Sequence, residues 1–256
     1  MLNENEKNSN LSISTNISIS PEENRTSNKE NRQKTRPFNF LLTNARSLAP
    51  KIGSLLDYFE ELDLSMAIVA ESWLKPGEKL EEDIIDLEFG ESISVLHKSR
   101  PTRRGKNAGG GIAVLYNNNK MSLKPVNIGA GKAEIIAAAG SITGIRRKVV
   151  VIGMYVRPQT KAEETHRIFE VVENAIQKFK TDLSDPIVII AGDINRRNID
   201  EAIGIFPDIN KYEPLSSRGR YDLDIVATNI NQSITACESR SPLETCLLYT
   251  SPSPRD

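Results

Sequence analysis

The hydrophobic pattern of the chain predicts a series of short strands separated by polar turns. Residues 186–191 read Pro-Ile-Val-Ile-Ile-Ala, an unbroken apolar run of mostly β-branched side chains. Such a run is typical of a strand buried on both faces of a sheet. Similar strand-like runs occur at residues 38–43, 66–70, 93–96, 111–116, 133–139, 148–156 and 223–227.

Two segments between these runs carry apolar residues at helical spacing. In residues 51–62 the apolar side chains recur every three or four positions, and residues 163–180 form a longer amphipathic segment of the same kind. Mixed strands with two helices predict sheets that pack together and carry helices on their outer faces.

Residues 1–36 differ in composition from the rest of the chain. They are dominated by Asn, Ser, Glu, Lys and Thr and offer little apolar surface to bury. We therefore predict a disordered leader over 1–36 and a folded domain over 37–245.

Composition excludes several classes of protein. The 33 Lys and Arg residues balance 34 Asp and Glu residues to a net charge of -1, so overall charge does not indicate a nucleic-acid binder. No apolar run approaches the roughly 18 residues of a membrane helix, and the N-terminus lacks a secretory signal. Two cysteines exclude a disulfide framework and a zinc site. We expect an intracellular protein that does not enter a membrane.

Polar residues at the ends of the predicted strands are candidates for chemistry. Asp193 and Asn195 follow the 186–191 run, and their i, i+2 spacing lets both point to one side. One could take a proton from water while the other donates to a phosphate oxygen. Glu71 follows another buried run and is a natural ligand for a hard cation.

Further candidates could bind a phosphate group. Tyr155 and Arg157 occupy alternate positions at the end of residues 148–156, where both could reach a phosphate. Arg100, Arg103 and Arg104 form a local basic loop for which a DNA backbone is a suitable partner. The glycine turn at residues 109–111 is expected to be structural.

Each candidate also has an ordinary interpretation when it is taken alone. Glu71 could be a solvated acid at a strand end, and Asn44 a turn residue. Tyr155 could be a core residue beside an exposed arginine, and the basic loop could simply face solvent. Only the combination of motifs indicates a shared site.

Four motifs in this order and spacing resemble the endonuclease/exonuclease/phosphatase superfamily. They resemble more closely the apurinic-type endonuclease domain of non-LTR retrotransposons, over about residues 38–245. The motifs are Asn-Ala-Arg-Ser-Leu at 44–48, Glu-Ser-Trp-Leu at 71–74, Tyr-Val-Arg-Pro at 155–158 and Gly-Asp-Ile-Asn at 192–195.

The resemblance implies an α/β fold of two packed, mainly antiparallel β-sheets flanked by helices, a four-layer α/β sandwich truncated at its C-terminus. It also implies DNA nicking that depends on Mg²⁺, with Mn²⁺ as the alternative ion. In the natural protein a reverse transcriptase would follow, and the enzyme would need access to the nucleus.

The resemblance also assigns roles to individual residues. Asn44 and Glu71 would lie at the metal, and Asn44 would also lie beside the scissile phosphate. Asp193 would orient or deprotonate the attacking water, while Asn195 and Tyr155 would contact the phosphate. Asp224 would hold a catalytic histidine in its orientation.

That histidine belongs to a Ser-Asp-His motif which this chain does not contain. Either Ser239 and Arg240 are a degenerate copy of it, or the chain ends before reaching it. Residues 246–256 match, without interruption, the translation of a transposase-type sequencing-library adaptor, so we expect a non-native tail. Pro252 and Pro254 would also interrupt a strand there. We expect the resulting fragment to be inactive as an enzyme.

Two other functions remain open at this stage. One is a phosphatase or phosphodiesterase of the same fold, although the wording of the four motifs favours the retrotransposon branch. The other is a DNA-binding remnant without catalysis, which the missing histidine favours.

Overall fold

The structure is a computed structural model. It describes residues 12–17, 38–85, 87, 90–100, 109–195, 209–211, 224–230 and 234–240.

Twelve strands of the described chain form two six-stranded sheets. The first sheet has the order β12-β1-β2-β3-β5-β4 and the second the order β10-β11-β9-β8-β7-β6. In the first sheet the strands are β1 Ser12–Ile17, β2 Phe38–Asn44, β3 Leu64–Ala70, β4 Ile93–Lys98, β5 Ile112–Asn117 and β12 Ile234–Arg240. In the second they are β6 Met121–Pro125, β7 Glu134–Ile142, β8 Lys148–Tyr155, β9 Ile187–Asp193, β10 Asn210–Lys211 and β11 Asp224–Thr228.

Among the described residues, three α-helices accompany the sheets: α1 Ile52–Glu61, the short α2 Leu80–Ile84 and α3 Ala162–Leu183. One hydrophobic core fills the space between the sheets, where Phe40 and Ile68 of the first sheet meet Val151 and Ile189 of the second. A second core packs α3 on the outer face of the second sheet. A third packs α1 on the outer face of the first. The predicted two-sheet sandwich flanked by helices is confirmed.

A parallel pair of strands in each sheet positions the candidate site. Strands β2 and β3 run parallel, with Asn44 opposite Ala70, in a sheet whose other pairs are antiparallel. Strands β8 and β9 are likewise parallel, with Tyr155 opposite Asp193. The carboxyl ends of parallel strands meet at one edge of a sheet. Strands β2 and β3 therefore bring Asn44 opposite Ala70, the residue before Glu71, and strands β8 and β9 bring Tyr155 opposite Asp193.

Strand β1 lies in the segment for which a disordered leader was predicted. Residues 12–17 alternate Ser-Ile-Ser-Thr-Asn-Ile and pair antiparallel with both β2 and β12. Half of these residues are β-branched, which suits a strand, but the polar sequence around them hid the signal. The structure therefore corrects the expectation for these six residues. The rest of 1–36, like 241–256, lies outside the described residues.

The structure also adds strands β6, β10 and β12, which the hydrophobic pattern did not predict. Strand β6 buries only Met121 and Leu123 among five residues, so its apolar signal is too short to read. No helix in the described ranges is long and apolar enough to cross a membrane.

Candidate active site

Four of the predicted site residues make direct side-chain contacts with one another. The Asn44 Nδ2 atom donates to Glu71 Oε1 at 3.1 Å and to Asp193 Oδ2 at 2.8 Å. The Tyr155 hydroxyl donates to Glu71 Oε1 at 3.0 Å. We call these four residues the Asn44 cluster. It draws two residues from each sheet and lies where both parallel pairs end.

The loops that carry the cluster are fixed by backbone hydrogen bonds. Ala45 N donates to Ala70 O at 2.9 Å, and Ser47 N donates to Glu71 O at 2.9 Å. Glu71 itself adopts a left-handed backbone with φ 49°. A non-glycine residue in this region is strained, and such strain persists only where the surroundings determine it. In this conformation the Glu71 carboxylate accepts hydrogen bonds from Asn44 and Tyr155.

Asn195 links Asp193 at the end of β9 to Val156, which follows β8. Its backbone N donates to Asp193 Oδ1 at 3.1 Å, and its Nδ2 donates to Val156 O at 3.2 Å. Its φ of 46° is again left-handed, a conformation that Asn tolerates better than most residues. This turn, which closes on the end of β8, brings the backbone of Asn195 against the Asp193 carboxylate, and the placement of both side chains on one side stays a prediction.

Burial changes the acid-base behaviour of two cluster residues. The Asp193 side chain is buried, and this desolvation raises its pKa to about 6, although hydrogen bonds from Asn44 and Asn195 oppose the shift. Burial also raises the pKa of Tyr155, and the negative charge of Glu71 adds to that effect. Tyr155 therefore remains a neutral phenol that donates a hydrogen bond, while Asp193 is a carboxylate basic enough to accept a proton near neutral pH.

The cluster has the features of a site for a hard divalent cation. The Oδ1 atom of Asn44 is buried and has no hydrogen-bond partner, which is unusual for a buried oxygen. The Nδ2 atom of the same amide contacts the carboxylates of Glu71 and Asp193, so a rotation of the amide would turn Oδ1 toward them. No group of three or more His, Cys, Asp or Glu side chains assembles in the described residues. Mg²⁺ nevertheless needs only one or two carboxylates because it retains several waters, so the residues fit this ion.

Glu134 is a site residue that the sequence did not reveal. Its side chain is only 2% exposed, and its Oε1 accepts hydrogen bonds from Arg100 Nε and Arg157 Nε, both at 2.8 Å. Its Oε2 accepts the backbone N–H of Gly111. We call Arg100, Glu134 and Arg157 the arginine clamp. An acid in an otherwise apolar strand was the available signal, since a buried carboxylate requires partners.

The arginine clamp borders the Asn44 cluster. The Arg100 guanidinium carbon lies 5.8 Å from the centre of the Tyr155 ring. A cleft of about 170 Å³ opens beside Tyr155, Glu134 and Arg157. Each salt bridge uses an Nε donor, and a guanidinium carries further N–H donors that could bind an anion there.

The glycine turn supports the clamp. Gly110 and Gly111 have φ values of 83° and 81°, which favour glycine. A Cβ atom on Gly110 would collide with the Arg100 guanidinium. The turn therefore allows Arg100 to lie against the backbone and to reach Glu134.

Several predicted residues are placed less fully. Asp224 begins β11 directly opposite Asp193 in β9, so its backbone borders the cluster. Arg103 and Arg104 lie outside the described residues. The chain's two histidines form contacts elsewhere: His97 bonds the Glu78 carbonyl at 2.8 Å, and His166 pairs with Glu170 at 3.3 Å on α3.

Solved structures share this architecture. The endonuclease domain of TRAS1, a telomere-specific non-LTR retrotransposon, superposes with a TM-score of 0.52 at 12% identity, covering 75% of this chain and 84% of that one. The human Nocturnin catalytic domain with bound sulfate gives 0.51 at 15% identity, covering 72% and 76%. An endonuclease/exonuclease/phosphatase family protein from Bacteroides thetaiotaomicron gives 0.52 at 10% identity, covering 71% and 73%.

These similarities show that the chain has the endonuclease/exonuclease/phosphatase fold, as its motifs predicted. No protein-family model matches the chain, and no curated protein matches its sequence. At sequence identities of 10–15%, the structural similarity establishes a shared fold and nothing further.

Proposed function

We propose that this chain is a metal-dependent hydrolase of phosphodiester bonds, and that its substrate is DNA. The observation that supports this most is the Asn44 cluster itself. Residues from both sheets converge there, and a buried carboxylate of raised pKa accepts a hydrogen bond from an amide whose own buried oxygen has no partner. Neither feature is needed to stabilise the fold, and both suit a site that binds a cation and a phosphate.

In this proposal each residue performs a separate task. Asp193 orients the attacking water and accepts its proton, which its raised pKa favours. Tyr155, kept neutral by burial, donates a hydrogen bond to the phosphate. Arg100 and Arg157 provide positive charge for a phosphate beside the cluster. Asn195 holds Asp193 through its backbone N–H and offers an amide to the phosphate.

Glu71 and the Oδ1 atom of Asn44 are the groups that would hold Mg²⁺, with Mn²⁺ as the alternative. When bound, such an ion supplies positive charge that polarises the phosphate and stabilises the leaving oxygen. The proposal requires Glu71 to be ionised and accessible, and its side chain is partly exposed.

The more specific proposal is a DNA-nicking endonuclease from a non-LTR retrotransposon. Two observations support it: the wording of the four motifs, and the shared fold with the endonuclease domain of TRAS1. A retrotransposon enzyme of this kind would require access to nuclear DNA and would be followed by a reverse transcriptase.

The missing histidine lowers the expected rate. Loss of a principal acid-base group typically costs about 10²–10⁴ in rate, and both histidines of this chain form contacts outside the cluster. We therefore propose that the 256-residue chain nicks DNA weakly.

Nicking of supercoiled plasmid in Mg²⁺ tests the proposal. Any residual activity of the chain should fall to background in Asp193→Ala and in Glu71→Gln, and should be lost in EDTA. Asp57→Asn, an exposed acid on α1, is the matched control and should leave the rate unchanged. Nicking that persists in Asp193→Ala would contradict the assigned site.

A second candidate is a DNA-binding remnant that has lost catalysis, favoured by the absence of a histidine from the cluster's contacts. The same experiment separates the two. Tight DNA binding without nicking, at high protein concentration and in either Mg²⁺ or Mn²⁺, would favour the remnant. Hydrolysis of a phosphomonoester without plasmid nicking would instead favour a phosphatase of this fold.

A further inference from the structure

Trp73 is an exposed aromatic residue at the rim of the candidate site. It follows Glu71 by two positions, and its residue is 42% exposed, although a large apolar side chain gains by burial. Its backbone has φ 56°, which is strained for a residue with a side chain. Trp73 N donates to Gly110 O at 2.8 Å, so the glycine turn holds it in this conformation.

The indole of Trp73 and the guanidinium of Arg100 both lie near Gly109 of the glycine turn. A Cβ atom on Gly109 would lie 3.7 Å from Trp73 Nε1 and 3.4 Å from Arg100 Nη1, so both groups flank the same glycine. Arg100 also lies over the Tyr155 ring at 5.8 Å, and Tyr155 bonds Glu71. The Trp73 indole therefore lies across one glycine from a guanidinium that contacts the Asn44 cluster through Tyr155.

We propose that Trp73 is a stacking platform for an unpaired nucleobase of the DNA strand whose phosphate binds at the Asn44 cluster. The inference rests on the proposed function and specifies its substrate as single-stranded or locally unpaired DNA. A nucleotide presents an aromatic face and an adjacent anionic phosphate, and the site presents an aromatic face beside a cation and a phosphate-binding cluster. Stacking on an indole is tolerant of sequence because every base has a π-face.

A lone exposed hydrophobic residue would normally need no explanation. Trp73 differs because a backbone hydrogen bond holds its strained conformation and because the Arg100 guanidinium lies near the same glycine as its indole. The other large exposed apolar residues of the described chain, Ile85 and Leu87, lie at and after the end of α2. Leu87 thus offers a matched control for an exposed apolar side chain elsewhere.

Trp73 is the only tryptophan in the chain, so intrinsic fluorescence reports on this one residue. The full chain is titrated in EDTA with single-stranded oligothymidylate, and separately with an oligomer of the same length whose sugars carry no bases. Oligothymidylate should quench the fluorescence, whereas the abasic oligomer should bind more weakly and quench little. Equal quenching by both oligomers would overturn the proposal, as would DNA binding without quenching.

Variants test the energetic role of the indole. By fluorescence anisotropy of labelled oligomers, Trp73→Ala should weaken oligothymidylate binding roughly 5- to 150-fold, the range expected for one base-aromatic stack. It should leave binding of the abasic oligomer unchanged. Trp73→Phe should recover most of the loss, and Leu87→Ala should have no effect. An equal loss for both oligomers in Trp73→Ala would contradict stacking.

The two proposals can fail separately. If Trp73 distinguishes the two oligomers but Asp193→Ala leaves nicking intact, the stacking site stands and the assigned catalytic site fails. If nicking depends on Asp193 but the oligomers bind equally, the catalytic site stands and the stacking site fails.

Discussion

At the scale of single residues, the burial of Asp193 suits its proposed role as a base but lowers the stability of the protein at neutral pH. Burial raises its pKa from 3.8 to about 6, so the folded protein binds its proton more tightly than the unfolded chain does. The contribution of this residue to stability is therefore fully present below about pH 4 and is lost as pH rises through about 6. At neutral pH the buried charge costs roughly 3 kcal/mol, since each pKa unit corresponds to about 1.4 kcal/mol.

Asp193→Asn should remove this cost because asparagine carries no charge, although it also loses the hydrogen bond from either Asn44 or Asn195. That loss is the same at every pH, so we expect the variant's free energy of unfolding, relative to the unsubstituted chain, to be roughly 1–3 kcal/mol higher near pH 8 than near pH 4. Urea denaturation in EDTA across this pH range measures the effect, with Asp57→Asn as the exposed control. If the free energy of unfolding has the same pH dependence in the variant and in the unsubstituted chain, Asp193 is not desolvated.

Glu134 is the second residue whose burial determines an outcome. Glu134→Gln removes the charge that holds Arg100 and Arg157 and leaves the two guanidinium groups facing a neutral amide. Because both arginines are partly exposed, we expect a loss of roughly 1–3 kcal/mol in urea denaturation rather than the larger cost of a fully buried pair. DNA affinity should fall as well, since the arginines lose their fixed positions.

Glu170→Gln is the matched control for Glu134→Gln. It removes one partner of an exposed i, i+4 pair with His166 on α3, which is worth less than about 0.5 kcal/mol. Equal losses for the two variants would contradict the role of the arginine clamp.

At the scale of elements, the apolar pattern was sufficient to place most strands and both long helices, because burial follows periodicity. It was not sufficient to place their partners. Asn44 and Asp193 are 149 residues apart, and their contact exists only because two sheets pack face to face. The resemblance, rather than the pattern, brought them into one hypothesis. Glu134 was missed because its arginines are 34 and 23 residues away.

Two glycines, Gly192 in β9 and Gly53 in α1, provide a test of how the strands pair. A Cβ atom on Gly192 would overlap the Met154 carbonyl of the adjacent strand, whereas one on Gly53 of α1 meets nothing within 4 Å. Gly192→Ala should therefore separate β8 from β9 beside Asp193 and cost roughly 3 kcal/mol or more. Gly53→Ala should stabilise the protein by about 0.5–1 kcal/mol because it favours the helix. Thermal unfolding of the pair measures both effects, and a tolerated Gly192→Ala would contradict the register of these strands.

At the scale of the whole molecule, β1 connects the edge strand β12 to the rest of the first sheet. It pairs with β2 on one side and with β12 on the other, so it joins strands that lie at opposite ends of the chain. Composition predicted disorder here because six residues of alternating pattern contribute little to the average over 1–36. Tertiary pairing can order such a segment when a neighbouring strand offers a free edge.

Two N-terminal truncations test this arrangement. Removing residues 1–36 should expose the edge of β2 and leave β12 without its partner, whereas removing residues 1–10 leaves β1 intact. We expect the shorter chain to unfold at least about 4 °C below the longer one, since 1 kcal/mol shifts the midpoint by about 2–4 °C in a domain of this size. It should also aggregate more readily, because an open edge pairs with other chains. Equal midpoints for the two truncations would mean that β1 adds nothing to the sheet and that the leader behaves as its composition predicts.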